Sequence, residues 1–131
     1  MKLVVDTNIL FSFFKELSLT RSILLSPELE LISPEVAISE LKKYSEVIEK
    51  KSKVNFYSEL NNLEKIILFV SKKQYADFLL MAEKISPDPD DAEFFALCIK
   101  EKCALWSNDS LLKNQNRINV LSTQDLIEVL F

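Results

Sequence analysis

Brief runs rich in apolar residues alternate with amphipathic segments along this chain, a pattern typical of a parallel α/β sheet. The apolar runs predict buried strands at residues 3–5, 29–32, 66–70, 104–106 and 119–121. Apolar positions at helical spacing predict helices at residues 6–14, 19–26, 34–51, 55–64 and 72–85, one starting at 88–91, and a C-terminal one. We therefore expect one domain over residues 1–131, a three-layer α/β/α arrangement whose central, mainly parallel sheet has four or five short strands.

Two of the predicted helices stand out, one by its start signal and one by its apolar composition. Ser33, Pro34 and Glu35 combine a capping serine, proline at the first helical position and an acid in the first turn. This helix should run from Pro34 to about Lys51, with an apolar stripe at Ala37, Leu41, Tyr44 and Ile48. The helix that begins at residues 88–91 is apolar nearly all round, so we expect it to be central and buried.

The composition excludes several classes of site. The chain has no glycine, which excludes a P-loop and a dinucleotide-binding fingerprint, because both need glycine beside phosphate. It has no histidine, which excludes Ser-His-Asp catalysis and His-containing zinc sites. Cys98 and Cys103 are too few for structural zinc or a disulfide framework. Carboxylates, lysines and hydroxyls remain for chemistry.

No apolar run approaches the roughly 18–20 residues that span a bilayer, and an acid interrupts the N-terminus too early for a signal peptide. We therefore expect a cytoplasmic protein without a membrane segment. The net charge of −4 is unusual for a protein that binds nucleic acid, although acids around a bound cation would be locally neutralised. Lysines cluster in two segments, and we interpret them as solvated helix faces: Lys42, Lys43, Lys50, Lys51 and Lys53, then Lys72 and Lys73.

Four acids occupy positions that call for an explanation. Asp6 and Asp109 each follow a predicted strand, Asp91 lies in the first turn of the buried helix, and Glu40 borders an apolar stripe. Because the carboxyl ends of parallel strands meet at one edge of a sheet, we expect these side chains to converge there. Like charges placed together repel one another, and a bound cation makes such a cluster favourable.

Each acid alone also has a purely structural interpretation. Asp6 could cap the helix that follows it, and Asp91, with Asp90, could interact with a helix dipole. Asp109 could be a turn residue, and Glu40 could point outward to solvent. The cluster hypothesis depends on all four sharing one edge of the sheet. Carboxylates without nitrogen or sulfur ligands suit Mg²⁺ or Mn²⁺, ions that activate water for phosphodiester hydrolysis.

At these residues the sequence resembles the PIN-domain ribonucleases. Four segments in order over essentially the whole chain match the motifs of that family: residues 6–10, 34–41, 88–93 and 107–109. The resemblance implies a metal-dependent endoribonuclease in which Asp6, Glu40, Asp91 and Asp109 are catalytic and surround one or two Mg²⁺ or Mn²⁺ ions. Asn8 and Ser107 would be supporting polar groups, and Asp90 or Glu93 auxiliary acids.

The resemblance also implies partners. Many small prokaryotic members of the family are toxins of toxin–antitoxin pairs, so we expect an RNA substrate and an antitoxin protein. We also expect a homodimer, because Phe11, Phe13 and Phe14 add more apolar surface than one helix face can bury. One departure concerns the turn before residues 104–106, where the family often has glycine and this chain has Glu101, Lys102 and Cys103.

Two other functions fit parts of the pattern. Asp6 could be the nucleophile of a haloacid-dehalogenase-like phosphatase, but those proteins typically have a second Asp where this chain has Asn8, and nearby glycines. A catalytically silent PIN fold that serves as a binding or scaffold module is the stronger alternative. The presence of all four acids favours the enzyme over this module.

Overall fold

The computed structural model describes residues 1–15 and 17–131 and contains a five-stranded sheet. The strands are β1 (Lys2–Val5), β2 (Glu30–Pro34), β3 (Ile67–Val70), β4 (Ala104–Trp106) and β5 (Val120–Leu121). Their order in the sheet is β3-β2-β1-β4-β5, and every neighbouring pair is parallel. All five predicted strands and the parallel sheet are therefore confirmed.

The first strand lies in the centre of the sheet. Leu3 is paired with Leu31 on one side and with Ala104 on the other, and Val5 is paired with Trp106. Leu3 and Val5 are fully buried, as expected for a strand covered by helices on both faces. Asp6, the next residue, consequently leaves the sheet from the middle of its carboxyl edge.

Helices cover the sheet in two groups, which confirms the three-layer arrangement. In the first group, α8 (Ala92–Glu101) contacts β1, β2 and β4. The helices α6 (Lys72–Tyr75) and α7 (Leu79–Ile85) pack against α8. The other group contacts β2 and β3 and comprises α1 (Thr7–Phe11), α3 (Val36–Lys43), α4 (Ser45–Ser52) and α5 (Phe56–Glu64). The remaining helices are α2 (Leu19–Leu24) and α9 (Thr123–Leu130).

The helix α8 is central and buried, as its composition predicts. Six of its residues are buried: Ala92, Phe94, Phe95, Ala96, Leu97 and Cys98. The helix ends at Lys102, which adopts a left-handed conformation with φ 55° and ψ 48°. Glycine is the usual residue at such a position. The turn before β4 therefore forms with lysine in the place where the family often has glycine.

The predicted start of the helix at residues 34–51 is wrong. Ser33 and Pro34 belong to β2, where Pro34 is paired with Val70. The Ser33 hydroxyl does not cap a helix; it donates a hydrogen bond of 2.9 Å to the carbonyl of Val5. A serine–proline pair gives the same local signal at the end of a strand as at the start of a helix. Here the pairing of β2 with β3 places both residues in the strand.

The same predicted helix is also interrupted. It is divided into α3 and α4 at Tyr44, whose backbone has φ −108° and ψ 16°. The predicted helix at residues 72–85 is likewise divided, by a 3₁₀ turn at Ala76–Phe78 between α6 and α7. The described residues contain no helix that is both long and apolar enough to cross a membrane.

The reason for expecting a homodimer does not hold in the structure. Phe13 and Phe14, in the 3₁₀ turn Ser12–Phe14 that follows α1, are each only 2% exposed. Phe14 also stacks on Phe56, with ring centroids 5.3 Å apart. These rings complete the core of the protein, so they offer no surplus apolar surface to a second copy.

Candidate metal and active site

Asp6 is held in place by the strand beside it. Its amide donates a hydrogen bond to the carbonyl of Trp106 at 3.0 Å, which continues the pairing of β1 with β4. The Ser107 hydroxyl donates a hydrogen bond of 2.7 Å to the Asp6 carboxylate, and both residues are buried. The Asp6 side chain makes no capping hydrogen bond to α1. Its side-chain hydrogen bond therefore comes from the residue after β4, while the amides of Thr7 and Asn8 at the start of α1 also stabilise its charge.

Asp109 is joined to the same group through Ser107. The Asp109 amide donates to the Ser107 hydroxyl at 3.1 Å, so this one hydroxyl bridges Asp6 and the loop after β4. One Asp109 carboxylate oxygen accepts a hydrogen bond from the Leu111 amide at 3.0 Å and caps the 3₁₀ turn Ser110–Lys113. The turn interpretation is thus correct for Asp109, although its charge also acts on Asp6 and Asp91.

Asp91 lies where the 3₁₀ turn Pro89–Asp91 meets α8, and its side chain makes no capping hydrogen bond. The cap of that turn is Asp88, whose carboxylate accepts from the Asp90 amide at 3.0 Å. Burial and nearby negative charges together raise the pKa of Asp91 to about 7, with burial contributing most. Those charges belong to Asp6, Asp88, Asp109 and Glu40.

Asp6 experiences a similar environment. Burial raises the pKa of the Asp6 carboxyl above its ordinary value. The Ser107 hydrogen bond and the backbone amides of Thr7 and Asn8 oppose this, and the charge of Asp109 raises the pKa again. Two carboxyls with raised pKa values therefore share one region with two further acids, an arrangement that is unfavourable on its own. Perturbed carboxyls grouped in this way are common at functional sites.

An open cavity of about 750 Å³ lies in front of these acids. Its acidic end is lined by Asp6, Thr7, Asn8, Glu40, Asp90 and Asp91. The Thr7 hydroxyl is buried at this end and has no hydrogen-bond partner in the part of the chain that the structure describes. A buried polar atom without a partner is unfavourable in an empty cavity, and a ligand or water could satisfy it.

The structure brings most of the predicted site residues together. Asp6, Glu40, Asp91 and Asp109 are close enough for their charges to interact, and Ser107 contacts Asp6 directly. The supporting residues Asn8 and Asp90 are exposed and line the cavity. Glu93 does not line the cavity, and its carboxylate accepts a hydrogen bond of 2.6 Å from the Tyr75 hydroxyl. Its predicted auxiliary role at the cluster therefore lacks support.

The metal roles of these residues stay a prediction. Within residues 1–15 and 17–131, no three carboxylate or thiol side chains are grouped so that they could hold a metal ion. Four separate parts of the chain gather the acids in one region, where the Asp6 carboxylate accepts a hydrogen bond from Ser107 and the Asp109 carboxylate accepts one from Leu111.

Sequence reasoning missed several residues of this region. Asp88 could have been recognised as the cap, because an acid two residues before Asp90 with proline between them favours such a turn. Thr7 gave no signal, since threonine after a strand is ordinary. Lys15 and Lys51 line the same cavity as the acids although they are far apart in sequence, and only the fold places them there.

The fold and the site together define a parallel α/β domain with acids gathered at the carboxyl edge of its sheet. A family model for the PIN domain matches residues 4–124, and the chain belongs to this family. A similar fold occurs in the crystal structure of VapBC2 from Rickettsia felis bound to a DNA fragment from their promoter, with a TM-score of 0.66. The sequence identity is 15%, over 93% of this chain and 98% of that chain. Curated protein sequences give no match.

Proposed function

We propose that this chain is a divalent-metal-dependent endoribonuclease that hydrolyses RNA phosphodiester bonds at Asp6, Glu40, Asp91 and Asp109. The observation that carries the proposal is the environment of Asp6 and Asp91. Both carboxyls have raised pKa values because they are buried, and the charges of neighbouring acids contribute to both shifts. Membership of the PIN-domain family supports the same assignment.

The chemical type of these donors suits a hard divalent cation, which would have to draw the carboxylates closer together than they lie in the described residues. Mg²⁺ and Mn²⁺ prefer carboxylate oxygens and bind through a few carboxylates together with water and substrate phosphate. Asp6, Asp91, Asp109 and Glu40 would hold the ion, which would relieve the repulsion that raises the pKa of Asp91. When bound, such an ion polarises the phosphate and lowers the pKa of water.

The other residues of the site would orient the acids and the substrate. Ser107 fixes the rotation of the Asp6 carboxylate and links it to the backbone of Asp109. Asn8 is exposed at the cavity, where its amide can donate a hydrogen bond to RNA. Asp90 lines the same end and adds negative charge near the ion. We do not assign a role in catalysis to Glu93.

We also propose that the protein acts in the cytoplasm as the toxin of a toxin–antitoxin pair, with residues 1–131 forming one nuclease domain. The fold is similar to that in the VapBC2 structure, which includes DNA from their promoter. Many small prokaryotic PIN-domain proteins are toxins, and an antitoxin would block the cavity in front of the acids. A homodimer belongs to this proposal through the family alone, since Phe13 and Phe14 are buried.

The direct test is cleavage of a mixed panel of RNAs with Mn²⁺, with Mg²⁺ and with EDTA. We expect cleavage only with a metal, and we expect Asp6→Asn to abolish it because an amide is nearly isosteric but a poor ligand. Asp77→Asn is the matched control, because Asp77 is exposed and does not line the cavity. Cleavage in EDTA would refute the mechanism, and no cleavage under any condition would favour the silent scaffold module.

A further inference from the structure

The cavity in front of the acids has a second, basic end. Lys15, Lys43 and Lys51 line it, and they come from the segment after α1, the end of α3 and the end of α4. None of the three forms an ion pair with a described residue. Three lysines that form no ion pair within the described residues therefore line one cavity together with the acids, and they provide a local site for the phosphates of a polyanion in a chain of net charge −4.

An exposed aromatic ring also lines the cavity, between Glu40 and Lys51 in the chain. Tyr44 lines the cavity and is 51% exposed, at the point where α3 gives way to α4. Phe11, half-buried and lining the same cavity, contacts the Tyr44 ring edge-on, with centroids 5.7 Å apart and an interplanar angle of 76°. A contact of this geometry covers at most one face of the Tyr44 ring, so at least one face is available for stacking.

The spacing connects this ring to the acids. Glu40, which lines the acidic end, precedes Tyr44 by four residues along α3. One helical turn separates them, roughly 6 Å along the axis. A group stacked on Tyr44 would therefore lie about one nucleotide away from a phosphate held at the acids.

We infer that Lys15, Lys43, Lys51 and Tyr44 form a substrate-binding wall for single-stranded RNA, an inference that rests on the proposed ribonuclease function. The three ammonium groups bind backbone phosphates on one side of the cleaved bond, and an unpaired base stacks on Tyr44. Base–aromatic stacking requires a base that is free of a duplex, so the wall selects unpaired RNA.

An acidic peptide would also be attracted to the lysines, but the other features favour RNA. A peptide carboxylate does not stack on an exposed aromatic ring, whereas each nucleobase has a π-face that does. The wall also shares one cavity with acids that suit a cation, and phosphate is the anion that such a cation would bind.

The wall changes the interpretation of particular residues. Lys42 and Lys50 are exposed and do not line the cavity, so the interpretation as solvated helix faces holds for them. Their neighbours Lys43 and Lys51 face the cavity instead. The break at Tyr44 places these side chains around one opening.

The lysines are tested by binding of a fluorescein-labelled ten-nucleotide single-stranded RNA in EDTA, with its integrity checked on a gel. We expect Lys15→Gln/Lys43→Gln/Lys51→Gln to weaken binding at least tenfold. The slope of log affinity against log salt should fall by about 2, because single strands release about 0.7 counterion per phosphate contact. The control Lys42→Gln/Lys50→Gln/Lys65→Gln removes the same charge from exposed positions outside the cavity. An equal effect of both triple variants would overturn the inference.

The aromatic ring is tested with two matched tyrosines. Tyr57 is 57% exposed, contacts Phe56 edge-on and does not line the cavity, so Tyr57→Ala is the control for Tyr44→Ala. We expect Tyr44→Ala to weaken binding of the single strand about fivefold or more, and Tyr44→Phe and Tyr57→Ala to leave it unchanged. An RNA duplex of the same length should bind more weakly and should not respond to Tyr44→Ala. Equal loss with Tyr57→Ala, or equal binding of the duplex, would refute the stacking role.

The outcomes separate this inference from the proposed function. If wild type cleaves RNA with Mn²⁺ but the lysine and Tyr44 variants bind and cleave normally, the proposed ribonuclease function is supported and the inferred RNA-binding wall is refuted. If wild type binds the single strand through these residues but never cleaves it, the inferred RNA-binding wall is supported and the proposed ribonuclease function is refuted. Binding of decaglutamate as tightly as RNA, with the same dependence on the lysines, would assign the wall to an acidic peptide and overturn the inference.

Discussion

Asp125 near the start of α9 and Asp91 at the start of α8 occupy comparable positions in opposite environments. The Asp125 carboxylate accepts hydrogen bonds from the Ser122 amide at 2.9 Å and from the Lys113 ammonium at 3.0 Å. These contacts lower its pKa to about 2, with the backbone hydrogen bond to Ser122 contributing most. Asp125 thereby completes a capping box and stabilises its helix.

Asp91 has neither kind of partner. It caps no amide, and burial together with four neighbouring acids raises its pKa to about 7. Both aspartates lie at a helix N-terminus, where the helix dipole favours negative charge, so the difference comes from their neighbours. The comparison teaches that an acid at a helix start can be assigned to structure or to a site only from its partners.

The largest expected difference between the two aspartates is in RNA cleavage. Asp91→Asn should lower Mn²⁺-dependent cleavage by on the order of a thousandfold or more, since it removes a ligand and a charge that the metal requires. Asp125→Asn should change cleavage less than about twofold, because its carboxylate faces Lys113 and not the cavity. Initial rates on one RNA measure both. Comparable losses would show that the two acids have the same role.

The next difference is in the stability of the metal-free protein. Asp125→Ala should lower the melting temperature by a few degrees, because it removes the cap and the contact with Lys113. Asp91→Ala should leave the melting temperature unchanged or raise it, because it removes a repelling charge that makes no hydrogen bond. Thermal unfolding in EDTA, followed by circular dichroism, measures both. A loss for Asp91→Ala as large as that for Asp125→Ala would mean that Asp91 stabilises the helix.

The smallest difference is in the pH dependence of stability. Asp91 has a folded pKa of about 7, which lies above its value in the unfolded chain, so the folded state binds the proton more tightly. The free energy of unfolding of the metal-free protein should therefore fall as the pH rises from about 4 to 7. Asp125, with a folded pKa of about 2, acts in the opposite direction, and its stabilisation is lost as pH falls from about 4 to 2.

Denaturant unfolding in EDTA across this range provides the measurement. Wild type should lose about 1 kcal/mol relative to Asp91→Ala between pH 4 and 7, once the half-buried position of Asp91 is allowed for. Parallel curves for the two proteins over this range would contradict the assignment. Asp125→Ala should be less stable than wild type by a constant amount above about pH 4, and the two curves should converge as the pH falls from about 4 to 2.

The convergence of Asp6 and Asp109 could be predicted from the sequence because it follows from topology. Parallel strands end at one edge, so acids that follow β1 and β4 must approach one another. What the sequence could not decide was the role of each acid. Asp6 and Asp109 both follow a strand, yet one accepts from Ser107 and the other caps a turn.

The wrong predictions arose where tertiary contacts override local signals. Ser33 and Pro34 read as a helix start, but pairing of Pro34 with Val70 places them in the sheet. The break at Tyr44 contains no proline or glycine and therefore left no local signal. Lys102 in the left-handed conformation shows the same principle, since packing of α8 imposes a turn that lysine does not favour.

The central claim is that Asp6 and Asp91 bind a divalent metal, and the shift in melting temperature with Mn²⁺ tests it most directly. Mn²⁺ at about a hundred times its dissociation constant should stabilise wild type by roughly 2.7 kcal/mol, which raises the melting temperature by several degrees. Asp125→Ala should show the same increase from a lower starting temperature. The double variant Asp6→Asn/Asp91→Asn should melt no lower than metal-free wild type and should barely respond to Mn²⁺. No response of wild type to Mn²⁺, together with a destabilised double variant, would show that these acids stabilise the fold and bind no metal.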